Sequence, residues 1–264
     1  MAAVVDVDAL LDGLDRMAAQ RPVAARIVAT SNEEDSGATE LAAILGADVG
    51  LAAKVMKLAN SVYFGLSGRV TSLQFAVTVV GFNTVRSIAT VALCGIDETE
   101  ELPDCFWDTS LHLAASAGCL GPQFRVPTAD ALCLGLLAQL GAALLHQADP
   151  EGYEQLALST DLGPVRFAAE KRRFGISTPA LTAEALERWH FPARMVDTLR
   201  AVPSGAEGAL LRTAYEVTGR LVGPGRTRVS LAGVSDGRVK ESQAPGVLAS
   251  VRSDVDALRT ALGL

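Results

Sequence analysis

Apolar residues recur at intervals of three and four along most of the chain, and glycines, prolines and short polar clusters interrupt that period. No stretch alternates as a half-buried strand would, and no internal repeat is visible. Residues 6–19 place Leu10, Leu11, Leu14 and Met17 on one stripe, with aspartates opposite. Pro22 suits the first turn of a helix over 22–31 that buries Val23, Ile27 and Thr30. Ser36 and Asp48 are caps for helices over 38–46 and 49–61, the second carrying the stripe Leu51, Val55, Leu58 and Val62. Residues 63–71 read as a loop, Ser72 caps a helix to Val80, and Asn83, after Gly81, caps another over 84–95. The acidic stretch 97–104 ends in Pro103 and predicts an exposed connection between two helical halves.

The second half predicts a helix over 104–122, then an almost wholly apolar one over 130–147 that should be its buried centre. Shorter helices follow over 151–158 and 163–174, and Thr178–Pro179 makes a cap and first turn for a helix to His190. Pro192 opens a helix to about 201, and 207–222 is amphipathic. Residues 223–243, rich in Gly, Arg and Ser, predict an irregular segment before a last helix over 247–262. The expected organisation is therefore all-α: a first helical subdomain over 1–103, a second over 104–222, and a Gly/Arg-rich segment with a terminal helix over 223–264.

Composition supports this. Of 264 residues, 49% are hydrophobic and only 5% aromatic, so the core must be built from Leu, Val and Ala, two of which are the strongest helix formers. The net charge of -7 argues against general attraction to nucleic acid or an anionic membrane. Aspartates at 6, 8, 12 and 15 are wrong for a signal peptide, and the apolar runs near 72–82 and 131–145 are too short or interrupted to span a bilayer. Cys94, Cys105, Cys119 and Cys133 have no C-x-x-C spacing and read as reduced, mostly buried thiols of a cytoplasmic protein.

Two blocks carry a specific likeness. The first runs from Asp48-Val-Gly-Leu through Leu58-Ala-Asn-Ser61 to Gly65, then Ser72-Leu and Gly81 shortly before Arg86. The second comprises Phe106-Trp107-Asp-Thr-Ser110, Leu134-Gly-Leu-Leu-Ala-Gln-Leu-Gly141, Phe174-Gly-Ile-Ser-Thr178, and Leu186-Glu-Arg-Trp189 with Phe191-Pro192. Together, over roughly residues 14–222, they resemble the HDOD domain, a relative of the metal-dependent HD phosphohydrolases; Val49 departs from it, standing where the family favours Pro. The resemblance implies a multi-helix HDOD fold whose second subdomain is similar to the HD helical core. It also implies a role in bacterial signal transduction as an output or adaptor module.

HD hydrolases hold one or two divalent metals with clustered His and Asp side chains, which lower the pKa of a bound water and neutralise phosphate charge. By the resemblance, Thr109 stands where a His would precede Ser110, Ala138 and Gln139 stand at the His-Asp pair, and Ser177 and Thr178 replace an Asp-His pair. No His follows Arg200, where relatives often carry two. Neither a methyl group nor a neutral amide can do the work of those ligands, so no metal, no cofactor and no catalysis are expected. His112, His146 and His190 fall on three segments without ligand spacing, and His146 suits a helix C-terminus. No Walker loop, G-x-S-x-G elbow or dinucleotide fingerprint is present, and Gly65-Leu-Ser-Gly68 reads as a turn.

Binding candidates remain. Lys54, Asn60, Ser61 and Arg86 lie in the signature half; Asn60 and Ser61 also suit a helix end, and Arg86 could grip a carboxylate or phosphate in bidentate fashion. Lys171, Arg172 and Arg173 form the densest basic cluster, with Arg166 and Arg188 as neighbours and Arg220, Arg226 and Arg228 as a second group. A solvated helix face explains such a run, and so does a docking patch for an acidic partner or a nucleotide. Three functions are therefore weighed. The first is a non-catalytic regulator acting through protein partners or a small signal held in a cleft between the halves. The second is a cyclic-dinucleotide receptor, and the third a residual metal-dependent phosphohydrolase.

Overall fold

Several helices in this protein begin where a side chain satisfies one of their first free amides. Asp48 accepts from Leu51 N at 3.0 Å, Ser72 from Phe75 N at 3.2 Å, and Asp149 from Gly152 N at 3.0 Å with Pro150 in the first turn. The computed structural model describes residues 5–12, 21–30, 37–66, 68–93, 102–223 and 228–262, and among them all regular structure is helical. The expected cap Ser36, the stripe positions Leu14 and Met17, and Cys94 and Arg226 lie outside the described residues.

Internal contacts divide the chain into two units, one of residues 12–99 with 253–264 and one of residues 1–11 with 100–252. The boundary read at 103 lies a few residues from this division, and the segment 223–264 is shared between the two units.

The first unit contains α1 (Pro22–Thr30), α2 (Ala38–Leu45), α3 (Val49–Ala59), a 3₁₀ turn (Val62–Phe64), α4 (Leu73–Val80) and α5 (Phe82–Leu93). α1 packs on α5, and α4 packs on both α2 and α3. The interior is formed by Ile27, Leu41, Val55, Leu58, Val77 and Val80, each wholly or almost wholly buried. Each such side chain contributes roughly 1.5–3 kcal/mol over an exposed one. Gly81 has φ +84° and joins α4 directly to α5 at an angle of 101°. A side chain there would be strained, so glycine permits a corner without a loop.

Two expectations change here. α5 starts at Phe82, so Asn83 lies inside the helix and accepts from Ser87 Oγ, and the first-turn carbonyl comes from Gly81. Val62 is 77% exposed, because α3 stops at Ala59 and the helical stripe does not reach it. Asn60 accounts for that stop: its amide donates to Val70 O at 2.8 Å and its carbonyl accepts from Val70 N at 2.9 Å, closing the loop between α3 and α4.

The second unit contains α6 (Phe106–Leu120), α7 (Thr128–Leu137), α8 (Leu140–Ala148), α9 (Pro150–Ser159), α10 (Pro164–Phe174), α11 (Thr178–Arg188), α12 (Ala193–Arg200), α13 (Ala209–Val222) and the short α14 (Leu231–Val234). α15 (Ala244–Leu262) begins here and ends among the residues of the first unit. α6 packs against α7 and α13, and its run Ala114–Gly118 of small residues lets their backbones approach. α11 lies on α8 and α12. Buried Arg212 on α13 donates to the carbonyls of Val202, Gly205 and Val234, tying the last segment to the helical core.

The predicted single helix over 130–147 is two helices, α7 and α8, separated at Ala138–Gln139. Thr128–Ala148 is the one described stretch apolar enough to cross a bilayer straight, and 83% of its most apolar window is buried inside the protein. The described residues of the Gly- and Arg-rich segment include the short helix α14 and a 3₁₀ turn (Glu241–Gln243). Of the described cysteines only Cys133 is buried; Cys119 is half-buried and Cys105 exposed.

Candidate functional site

The break between α7 and α8 places Ala138 and Gln139 at the centre of the second unit, where α11 and α13 converge. Tyr215 on α13 donates its hydroxyl to the Ala138 carbonyl at 3.0 Å, and Gln139 Nε2 donates to Tyr215 Oη at 3.3 Å. Thr182 on α11 donates to Thr178 O at 2.9 Å, accepts from Gly141 N at 2.9 Å and lies 3.5 Å from Ala138 O. A Cβ on Gly141 would fall 2.2 Å from the Thr178 carbonyl, so α8 and α11 meet here at a distance that only glycine allows.

Glu170 on α10 completes the cluster. Its Oε2 accepts from Thr178 N at 2.6 Å, and its Oε1 accepts from Thr178 Oγ1 at 2.8 Å and from Tyr153 Oη at 3.4 Å. The carboxylate thereby caps α11. Ser177 holds the N-cap position but makes no side-chain capping bond, and Thr178, expected as the cap, is the first helical residue. Burial pushes the Glu170 carboxyl up to about 7, against the opposing pull of the two Thr178 hydrogen bonds, the Arg166 charge and the Tyr153 hydroxyl. Burial also raises the Tyr153 and Tyr215 hydroxyls well above their ordinary range, with the Glu170 charge adding to both.

Four of the five positions read as degenerate ligands gather here: Ala138, Gln139, Ser177 and Thr178 are all buried. Thr109, half-buried on α6, makes no hydrogen bond to them. These residues do not fit a metal. Ala138 offers only a backbone carbonyl, already hydrogen-bonded to Tyr215, while Gln139 presents its amide nitrogen and Thr178 its hydroxyl proton to neighbouring oxygens. Glu170 is the one carboxylate in this hydrogen-bonded set, and both its oxygens accept hydrogen bonds. No three His, Cys, Asp or Glu groups among the described residues are placed to share an ion.

The histidines sit apart. His112 Nδ1 lies 2.7 Å from Asp108 O, and His146 Nε2 lies 3.4 Å from Glu154 Oε1. His190, at φ +55°, terminates α11 with His190 N on Glu187 O and Phe191 N on Leu186 O.

The binding candidates divide by accessibility. Arg86 is 1% exposed, so a ligand reaching it would have to enter the core of the first unit. Lys54 is half-buried on α3, Asn60 is held by Val70, and Ser61 Oγ is buried without a hydrogen-bond partner among the described residues. Arg173 is bound to Asp149 at 2.8 Å and holds its carboxyl below the usual carboxylate range. Arg166 donates to Ala157 O at 2.9 Å and Thr160 O at 3.0 Å. Lys171 and Arg172 are exposed and form no ion pair among the described residues. A shallow, solvent-open cleft is lined by Asp161, Glu216, Arg220 and Arg228, but Arg220 is spent on Glu216 and Glu241.

Sequence reasoning missed Glu170, Tyr153, Thr182 and Tyr215. One signal was present for Glu170: it shares a stripe with Phe167 and Phe174, where an acid is out of place.

The HDOD domain pattern matches residues 17–203 of this chain. Two solved structures share its fold. A Shewanella amazonensis protein, named provisionally as a phosphohydrolase, is 20% identical with a TM-score of 0.69, covering 96% of this chain and 98% of its own. A Marinobacter aquaeolei protein, named provisionally as a signal transduction protein, is 21% identical with a TM-score of 0.70, covering 99% of this chain and 67% of its own. An uncharacterized Treponema pallidum protein is 24% identical over 169 residues, 61% of this chain but only 33% of that protein.

Proposed function

Since the chain belongs to the HDOD domain family, we propose that it is a non-catalytic signal-transduction regulator of the cytoplasm, acting through contacts with other proteins. The observation that carries this reading is the Ala138–Gln139 turn. Where HD hydrolases would place metal ligands, this chain places a methyl group and an amide, closed over by Tyr215 and Thr182. A hydrolytic metal must hold a water of lowered pKa and offset phosphate charge. Neutral, mutually bonded side chains supply neither.

The polar groups of this cluster serve the fold instead. Each links two helices: Tyr215 links α13 to the α7–α8 turn, Thr182 links α11 to α8, and Glu170 links α10 to α11. Such a network rigidifies the unit rather than leaving open valences. The name of the Marinobacter aquaeolei relative favours a signalling role.

A cyclic-dinucleotide receptor needs several cations facing one pocket. Arg173 and Arg220, one from each basic cluster, are taken by carboxylates, which leaves fewer cations for one pocket and favours a protein partner.

The test is turnover. The purified chain, supplied with Mn²⁺, Fe²⁺ or Mg²⁺, should hydrolyse neither bis(p-nitrophenyl) phosphate nor cyclic di-GMP, and calorimetry with cyclic di-GMP should show no binding. Turnover that a chelator abolishes would overturn the proposal in favour of a residual phosphohydrolase.

A further inference from the structure

α10 has two contrasting faces. Phe167, Glu170 and Phe174 point into the second unit and are buried. On the other side Val165, Ala168, Lys171 and Arg172 are exposed, spaced so that 165, 168 and 172 follow one another along a single face with 171 beside them. Val165 is 53% exposed, and Leu158, on the preceding helix, 69%. The side chain of Arg166 bonds to the carbonyls of Ala157 and Thr160, holding the start of α10 against the end of α9, the helix that carries Leu158.

The charge on this face is sorted. Of the four cations on α10, Arg166 and Arg173 are used within the fold, while Lys171 and Arg172 have no ion-pair partner among the described residues. Two available cations beside an apolar pair, on a chain of net charge -7, form a local exception to the surrounding field.

We propose that this outward face of α10 is the docking surface for an acidic, amphipathic segment of a protein partner. The reading rests on the regulator function above and assigns it a surface. Carboxylates of the partner meet Lys171 and Arg172, and an apolar side chain covers Val165 and Leu158. Fork-like pairing at Arg172 sets the register. A nucleic acid or an anionic bilayer is a poorer fit. Two cations make few phosphate contacts, the net charge repels either, and the apolar pair offers nothing to a phosphate.

The test places a photo-cross-linking amino acid at Ala168 in the full chain, expressed in its own cells, and identifies adducts by mass spectrometry. The expected adduct is a protein joined through a segment rich in Asp and Glu with interspersed apolar residues. Once purified, that protein should bind the wild-type chain and lose about tenfold or more in affinity on Lys171→Glu with Arg172→Glu. Binding should also weaken as salt rises. Circular dichroism checks that the double variant remains folded; both positions are exposed, so it should. Absence of protein adducts at Ala168, an adduct through a neutral or basic segment, or binding indifferent to the double reversal would each overturn the proposal. So would capture of RNA, or equal charge-dependent binding to vesicles with about 30% phosphatidylserine, enough for an anionic surface potential. Failure here leaves the non-catalytic reading standing, since that is decided separately by turnover.

Discussion

Glu170 offers a direct probe of the buried cluster, through the replacement Glu170→Gln. The carboxyl lies at about 7 in the folded chain against an ordinary value of 4.5, because burial disfavours its charge more than Thr178, Tyr153 and Arg166 favour it. The folded state therefore holds this proton more tightly than the unfolded state. Stability from this group is fully present below the unfolded value and is lost as pH rises through the folded one. The difference amounts to on the order of 3 kcal/mol, a large part of the roughly 5–15 kcal/mol typical of a folded protein. Glutamine keeps the shape and stays neutral, and it can still accept from Thr178 N. The assay is urea denaturation from pH 5 to pH 8 followed by tryptophan fluorescence. Trp107 and Trp189 both lie in the second unit, so the signal reports on the unit that contains Glu170. Relative to wild type, Glu170→Gln should gain stability as pH rises, with about three quarters of the gain between pH 5 and pH 8. A difference between the two proteins that stays constant across that range would refute the argument.

Other substitutions probe neighbouring contacts. Gly141→Ala should destabilise the second unit by roughly 2–4 kcal/mol in the same denaturation assay, since its Cβ would meet a backbone carbonyl that cannot move aside. Tyr215→Phe should cost about 1–2 kcal/mol by freeing the Ala138 carbonyl; an unchanged midpoint would show that this bond adds nothing. Asn60→Ala removes both bonds to Val70 and should cost about 1–2 kcal/mol, with faster limited proteolysis in the loop before Val70 as the more specific readout.

Much of the fold was legible because apolar spacing and caps agree. Asp48 and Ser72 start helices where their side chains reach the third amide onward, and Gly81 turns the chain where its sequence position suggested an interruption. The errors have physical causes. A continuous apolar run cannot display the turn at Ala138–Gln139, since both helices flanking it are buried on nearly every side. Val62 matched the helical period, but the period says nothing of the Asn60–Val70 clamp that ends α3 first. At the candidate site, the missing ligands could be read from the residues at 138 and 139. What replaces them could not, because Glu170, Thr182 and Tyr215 come from three different helices. Likewise, the run Lys171-Arg172-Arg173 looks uniform in sequence, and only Asp149, more than twenty residues earlier, separates the committed arginine from the available pair.

With no ligand set among its side chains, the Ala138–Gln139 cluster should hold no divalent ion. Titrating the purified chain with Mn²⁺ and following the free-ion signal by electron paramagnetic resonance tests it most directly. The signal should grow in proportion to added metal, as in buffer, with no saturable component. Stoichiometric loss of signal that disappears when Glu170 is replaced by Gln would contradict it and return the Ala138–Gln139 cluster to the metal-binding proteins.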